Sequence, residues 1–125
     1  MIVVEDHSQV PHEGLWARDA QITGHQVVEG AYVVYQLVVT TMRGTKVRLW
    51  RRYAEFDALR AKLLAEVPAE RLAIPTLPPK SSKSGIENTA FLKSREEGLC
   101  YFVRCVFLNP HTARSAAVKR FISNS

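Results

Sequence analysis

The change of secondary structure that decides this fold lies within residues 46–67, KVRLWRRYAEFDALRAKLLAEV. Its first residues alternate, with Val47 and Leu49 on one side and polar or aromatic residues on the other, which is the period of a β-strand. After Arg52, apolar residues recur at intervals of three and four, the spacing of one helix face, until Pro68 ends the pattern. This face consists of Tyr53, Phe56, Leu59, Leu63 and Val67. The stretch therefore predicts a strand that leads directly into a helix.

Two further strands are predicted before this stretch, and two helices after it. Residues 21–28 are mixed in polarity, which indicates an edge strand, whereas residues 31–41 carry apolar side chains at both parities, which predicts a central strand covered on both faces. The helical period returns at Ala90, and a last short helix is predicted with Thr112 as its N-cap. Because strands precede helices, the predicted class is α+β, a three-stranded antiparallel sheet followed by a helical subdomain with a proline-rich loop.

The bulk composition is that of one globular domain whose positive charge is unevenly distributed. The 125 residues are 46% hydrophobic and 23% charged. The net charge is −4 over residues 1–42, +7 over residues 43–95 and +2 over residues 96–125. This asymmetry predicts a cationic region that faces an anionic partner, which composition leaves open as phospholipid, nucleic acid or an acidic protein. We divide the chain into an irregular acidic N-terminal segment, residues 1–16, and a folded domain, residues 17–125.

Several classes of function have no support in the sequence. The four histidines lack metal-ligand spacing, the six glycines form no phosphate-binding loop, and no nucleophile motif is present, so we expect no enzyme, no metal and no cofactor. Cys100 and Cys105 lie five apart in a predicted helix and are expected to be unpaired thiols in a reducing compartment. No apolar run approaches the ~20 residues that a membrane span requires. We therefore expect any contact with a membrane to be peripheral.

The strand-to-helix junction carries the most distinctive string, Arg51-Arg52-Tyr53-Ala54-Glu55-Phe56. The first amides of a helix are unpaired and the helix dipole is positive there, which favours an anion. An arginine at this point can hold a phosphate with two hydrogen bonds, and the tyrosine offers a ring face for a sugar or inositol. The competing interpretation is that the aromatic residues belong to the core and the arginines are solvated.

Two later strings are weaker when each is taken alone. The prolines of Pro75-Thr76-Leu77-Pro78-Pro79-Lys80 stiffen the chain and fix the direction of Lys80, although the same pattern is found in SH3 ligands and in rigid loops. The segment Arg95-Glu96-Glu97-Gly98-Leu99 precedes a strongly apolar helix face. Its arginine is compatible with a binding site or with an ion pair on the helix surface.

In this order and at these intervals, the three strings resemble the motifs of the PX (phox homology) domain family, over about residues 21–123. That family has an R-R-Y-x-x-F string entering its first helix, a P-P-K in a proline-rich loop and an R-x-x-x-L opening a later helix. The resemblance implies a pocket for phosphatidylinositol 3-phosphate. It implies that Arg52 grips the 3-phosphate, that Tyr53 stacks beneath the inositol ring, that Lys80 reaches the 1-phosphate, and that Arg95 binds the 4- and 5-hydroxyls.

The resemblance also implies how the protein meets a membrane. The loop of residues 81–89 is expected to face the bilayer with shallow contact through Lys83 and Ile86, with Arg51 as a further auxiliary contact. The C-terminal part is similar to PX domains of fungal endosomal and vacuolar adaptor proteins, which recruit lipid-transfer machinery. It implies a cytoplasmic protein bound peripherally to endosomal or vacuolar membranes, with a lipid-transfer or trafficking protein as a partner.

Two alternatives compete with lipid binding. The first is a protein-interaction module with the same fold that binds a partner through Pro75–Pro79 or the basic face, with little affinity for lipid. The second, nucleic-acid binding, requires aromatic residues interleaved with basic ones on an exposed sheet, and the sheet aromatics fit a covered core equally well. We therefore expect no nucleic-acid partner. Selectivity against bis-phosphorylated lipids stays open, since Arg48, Arg60 and Lys83 are candidates for binding an extra phosphate.

Overall fold

A computed structural model describes residues 14–80 and 88–123 of the chain. Within these residues the elements are β1 (Ala17–Val28), β2 (Tyr32–Thr41), β3 (Lys46–Arg52), α1 (Tyr53–Glu66), a 3-10 helix (Pro68–Ala73), α2 (Thr89–Phe107), α3 (Pro110–Ala113) and α4 (Ala116–Ser123). The strands form an antiparallel sheet in the order β1-β2-β3. The predicted class and the three-stranded antiparallel sheet are confirmed.

The turn between β1 and β2 shows why these strands pair as a hairpin. Glu29 and Gly30 both have positive φ, at 52° and 66°, the conformation of the turn whose twist matches two antiparallel strands. The Ala31 amide closes the turn by donating to the Val28 carbonyl at 2.9 Å. β1 begins at Ala17 rather than at the predicted residue 21, because two register shifts within it interrupt the alternation of side chains.

The central strand has one buried face, not two. In β2, Tyr35, Leu37 and Val39 are fully buried, whereas the even-numbered residues from Tyr32 to Val38 are only half-buried. The prediction that β2 is covered on both faces is therefore wrong. Its outward residues are only partly covered, as expected for an antiparallel sheet with one solvated face.

The helices bury their apolar stripes against the inner face of the sheet. α1 contributes Phe56, Leu59 and Leu63 to the core. The core residues of α2 and α4 are Leu99, Phe102, Val103, Val106, Phe107, Ala117, Val118 and Phe121. Trp16 joins this core edge-on to Phe107, with 5.9 Å between ring centroids, and its indole N–H donates to the Ala113 carbonyl at 2.8 Å. Residue 16 thus contacts the folded body, while the predicted division at residues 16 and 17 stays a prediction.

The C-terminal helices begin differently from the prediction. Thr112 is not the N-cap of the last helix: it lies inside the short α3, and its buried hydroxyl donates to the Val106 carbonyl at 2.6 Å. The N-cap of α3 is Asn109, whose side chain accepts from the His111 amide, and Pro110 occupies the first helical position. α4 begins at Ala116, and the Ser115 hydroxyl accepts from the Val118 amide. A buried threonine and an N-cap threonine are alike in sequence, and only packing separates them.

Two smaller features of the helices complete the fold. The 3-10 helix was not predicted, because Pro68 begins it after ending the apolar pattern of α1. Cys100 and Cys105 are free thiols in α2, as predicted. Across the described stretches, none of the helices combines the length and apolar character that crossing a bilayer requires.

Candidate functional site at the strand-to-helix junction

The two arginines at the end of β3 point to opposite sides of the sheet, because successive strand residues alternate. Arg51 faces inward with Leu49 and is only 7% exposed. It donates from Nε and Nη2 to the Phe121 carbonyl, at 3.2 and 2.9 Å, and from Nη1 to the Trp50 carbonyl at 2.8 Å. This placement corrects the prediction of Arg51 as an auxiliary membrane contact, since its guanidinium joins β3 to α4 instead.

Arg52 is exposed and lies at the start of α1, on the outward face of the sheet. Its guanidinium stacks on the Tyr32 ring, with 4.1 Å from Cζ to the ring centroid. Its backbone amide donates to the Glu55 carboxylate at 2.8 Å, which satisfies one amide at the beginning of the helix. The stacking holds the charged fork near the positive end of the α1 dipole without using its hydrogen-bond donors.

Tyr53 and Arg95 come together although they are distant in sequence. The Arg95 Cζ lies 4.0 Å from the centroid of the Tyr53 ring and 4.7 Å from that of Phe91, so the guanidinium is sandwiched and only 8% exposed. One face of the Tyr53 ring is therefore occupied. The predicted stacking of an inositol ring on Tyr53 requires the opposite ring face or a shift of Arg95.

Burial at this contact affects the ionisation of Tyr53. Burial raises the pKa of the Tyr53 phenol above its usual value, the Arg95 guanidinium offsets part of the rise, and Asp57 adds to it. The phenol is therefore neutral at physiological pH and acts as a hydrogen-bond donor. Its hydroxyl donates to the Pro78 carbonyl at 2.6 Å.

The proline-rich segment, residues 75–80, is held by side chains that donate to its carbonyls. Arg60 Nε donates to the Pro75 carbonyl at 2.9 Å, and Tyr53 donates to that of Pro78. Arg95 Nη2 donates to the Pro79 carbonyl at 2.6 Å and also contacts the Lys80 carbonyl. Because proline has no N–H, the segment cannot pair as a strand and depends on such donors. Its path is thus fixed by the residues predicted to bind a ligand.

A second layer of polar groups lies behind Arg95. His25 of β1 contacts the Glu96 carboxylate through Nδ1, and its ring lies 6.3 Å from that of Tyr35. The Tyr35 hydroxyl and the Arg95 Nε are buried and have no hydrogen-bond partner among the described residues. Burial raises the pKa of the Tyr35 phenol, and the neighbouring Arg95 charge offsets part of that rise. The turn of α2 that carries Arg95 is therefore tied to β1 through Glu96, and Arg95 lies close to Tyr35 of β2.

The structure thus unites some of the predicted residues more closely than others. Tyr53, Arg95 and the backbone of Lys80 are in direct contact, whereas Arg52 is beside Tyr53 in the chain but stacks on Tyr32. The Lys80 side chain is exposed at the end of a described stretch. Lys83 and Ile86 lie outside the described residues.

Two of the residues considered for an extra phosphate, Arg48 and Arg60, lie in the described part of the chain. Neither is free to bind a phosphate beside Tyr53 and Arg95. Arg48 lies on the outward face of the sheet, where it lines a polar groove with Lys46 and Gln36. Arg60 is half-buried and donates to the Pro75 carbonyl. Both positions are therefore poor candidates for a second phosphate contact at the Tyr53–Arg95 cluster.

Sequence reasoning assigned no binding role to Tyr32 or Gly98 and considered Arg60 only for an extra phosphate. Tyr32 stands out in sequence only as a sheet aromatic, and Gly98 lies inside the string of residues 95–99 without a role of its own. Gly98 carried a usable signal, since a glycine inside a helix costs about 1 kcal/mol relative to alanine and often marks a close approach.

Comparisons with known proteins agree with this architecture. A family model described as PX domain matches residues 39–125. The endosomal/vacuolar adapter protein YPT35 of Meyerozyma guilliermondii is 35% identical, over 97% of this chain and 88% of that protein. Human sorting nexin-16 is 32% identical over 81% of this chain, and the match spans 29% of its own length. Among solved structures, a designed CISK-PX domain superposes with a TM-score of 0.74 at 26% identity, covering 85% of this chain and 99% of that one.

Proposed function

Because the chain belongs to the PX domain family, we propose that it binds phosphatidylinositol 3-phosphate headgroups and thereby brings itself or a partner to endosomal or vacuolar membranes. The adapter and sorting nexin relatives support a role in membrane targeting and trafficking, with a trafficking or lipid-transfer protein as partner. We propose a binding role without catalysis. No residue of the Tyr53–Arg95 cluster is arranged as a nucleophile beside a base.

The observation that supports the proposal is a contact between residues of three separate motifs. The Arg95 guanidinium stacks on the Tyr53 ring and contacts the Lys80 carbonyl, and Arg52 directly precedes Tyr53 in the chain. Forked guanidinium groups suit phosphate oxygens and neighbouring hydroxyls, whereas the single ammonium of lysine suits a diester phosphate.

The proposed roles of these side chains are those that the PX motifs imply. Arg52 binds the 3-phosphate from its position at the start of α1, where the helix dipole adds to its charge. Lys80 binds the 1-phosphate, and Arg95 binds the 4- and 5-hydroxyls. Arg95 already donates from Nη2 to the carbonyls of Pro79 and Lys80, so a ligand competes for or shares these donors. We expect a modest affinity, on the order of micromolar, that a second membrane contact or multivalency strengthens.

Additional contact with the bilayer is proposed for Lys83 and Ile86, which lie outside the described residues. Each lysine or arginine near an anionic membrane surface contributes about 1 kcal/mol, and one sizeable apolar side chain supports only shallow insertion. Arg51 is left out of this contact because it is buried against α4.

The protein-interaction alternative has less support in the structure. A proline-rich ligand of SH3 type must present a free extended segment to its receptor. Here the carbonyls of Pro75, Pro78 and Pro79 accept hydrogen bonds from Arg60, Tyr53 and Arg95 of the same domain. Such a partner would have to displace these bonds before it could bind.

The test is co-sedimentation with phosphatidylcholine vesicles that contain each mono- and bis-phosphorylated phosphoinositide in turn. Wild type is compared with Arg52→Ala and with Arg48→Ala, which removes the same charge from the same face of β3 but farther from the junction. We expect selective binding of the 3-phosphate lipid by wild type, a loss of tenfold or more, roughly the 1.4 kcal/mol of a lost charged contact, in Arg52→Ala, and a smaller loss in Arg48→Ala. If folded wild type binds no phosphoinositide, the lipid proposal fails and a protein partner is sought.

A further inference from the structure

Gly98 lies at a close contact between α2 and the proline-rich segment. A β-carbon built on Gly98 would lie 2.9 Å from Pro78 Cγ, 3.0 Å from Pro78 Cβ and 3.2 Å from Pro78 Cδ. Carbon atoms attract one another best at about 3.5–4.0 Å, so any larger residue forces α2 and Pro78 apart. The proline ring cannot rotate away, since it is closed onto its own backbone. Only glycine allows the segment to lie this close to α2.

The position of Pro78 determines where the chain leads two residues later. Its carbonyl accepts from the Tyr53 hydroxyl, and the next two carbonyls accept from Arg95. These bonds need correct distances and angles, so a displaced Pro78 weakens them together. A shift of the segment therefore moves the Lys80 backbone and releases the Arg95 guanidinium from its present orientation.

We propose that Gly98 is a positioning residue for headgroup binding, because it sets the place of Lys80 and Arg95 through its contact with Pro78. The inference rests on the proposed function. Gly98 itself does not touch a ligand in this scheme. A glycine within a helix is less favourable for helix formation than an alanine. At this position, however, an alanine would disrupt the close packing of the proline-rich segment against α2.

The chain offers a matched control for a substitution at Gly98. A β-carbon at Gly24 in β1 would have no heavy atom within 4 Å, so Gly24→Ala makes the same chemical change without a clash. Neither glycine has a positive φ. In the same vesicle assay, we expect Gly98→Ala to bind the 3-phosphate lipid about fivefold more weakly, as for a partly lost charged hydrogen bond, and Gly24→Ala to bind like wild type.

A double-mutant cycle separates positioning from a general structural effect. In a Lys80→Ala background, we expect Gly98→Ala to weaken binding by clearly less than about fivefold, because the ammonium that it misplaces is already absent and only the displacement of Arg95 remains. The melting temperature of Gly98→Ala should stay within a few degrees of that of wild type. An equal loss in both backgrounds, or no loss in either, overturns the proposal.

A measurement on the free protein keeps this inference distinguishable from the proposed function. Backbone amide resonances of Lys80 and Tyr53 are compared by NMR in wild type, Gly98→Ala and Gly24→Ala. We expect them to move only in Gly98→Ala. If they move while wild type binds no phosphoinositide, the proposed function fails but the placement of the segment by Gly98 stands. If they do not move, the positioning role is refuted, whatever wild type binds.

Discussion

The two arginines at the end of β3 should have different effects when each is replaced by methionine. Arg51→Met should lower stability, and Arg52→Met should lower lipid binding. Arg51 is buried and donates three hydrogen bonds to the carbonyls of Phe121 and Trp50, and its Cζ lies 5.5 Å from the centroid of the Phe121 ring. Phe121 lies in the last turn of α4, where carbonyls lack partners within the helix and a cation is favourable. Arg51 therefore closes the C-terminal end of α4 onto the sheet.

The cost of Arg51→Met follows from these contacts. Methionine replaces the apolar stem, so the principal loss is that of charged hydrogen bonds, together with the burial of a Phe121 carbonyl that has lost this donor. Hydrogen bonds to charged groups contribute about 1.5–3 kcal/mol each, and part of the loss is offset because an arginine no longer has to be desolvated. We expect a net decrease of about 3 kcal/mol in the free energy of unfolding, which corresponds to about 12 °C in melting temperature for a domain of this size.

The assay is thermal unfolding monitored by circular dichroism, with Arg52→Met as the matched control. Arg52 is exposed and stacks on the Tyr32 ring, so its replacement should cost no more than about 1 kcal/mol. Arg51→Met should thus be less stable yet retain lipid binding below its melting temperature, and Arg52→Met should be stable and bind poorly. If Arg51→Met melts within about 3 °C of wild type, less than 1 kcal/mol, the role of Arg51 as a link between β3 and α4 is refuted.

Two further predictions concern the half-buried Tyr53 and the buried Tyr35. Tyr53→Phe removes the donor to the Pro78 carbonyl but keeps the ring, so we expect a loss of about 1 kcal/mol in stability and a fall in lipid affinity of less than about fivefold, measured by urea unfolding and vesicle co-sedimentation; unchanged stability would show that this hydrogen bond contributes nothing. For Tyr35→Phe, we expect a loss of less than about 1 kcal/mol in stability at neutral pH, because the buried hydroxyl has no well-formed hydrogen bond among the described residues and has the nearby Arg95 guanidinium as a polar neighbour. Burial raises the folded-state pKa of Tyr35, so its contribution to stability is present below the unfolded pKa of about 10 and decreases as the pH rises above it. The stability of Tyr35→Phe relative to wild type should therefore increase with pH in urea titrations, and a difference independent of pH would contradict the assignment.

Local patterns in the sequence were sufficient to predict the three strands and the two long helices, α1 and α2. The change of period predicted the start of α1 at Tyr53, and the alternation read from Lys46 to Trp50 ended two residues before β3 does, because alternation and helical spacing are properties of neighbouring residues alone. The prediction failed where the pattern is interrupted or ambiguous. Register shifts in β1 concealed its first residues, and Thr112 has the composition of an N-cap but occupies a buried position.

The sequence by itself therefore determined the α+β order, the antiparallel sheet and, through three spaced motifs, the family and the residue types of the candidate site. Only the tertiary structure decided how these residues are used. In the folded protein, Arg51 faces the core and Arg52 faces outward. Arg95 stacks on the Tyr53 ring, and Gly98 packs against Pro78. The physical reason is that periodicity follows from contacts between near neighbours in the chain. In contrast, hydrogen bonds such as those from Arg51 to Phe121 and from Arg95 to Pro79 join residues 70 and 16 positions apart, and they form only when the sheet and helices pack together.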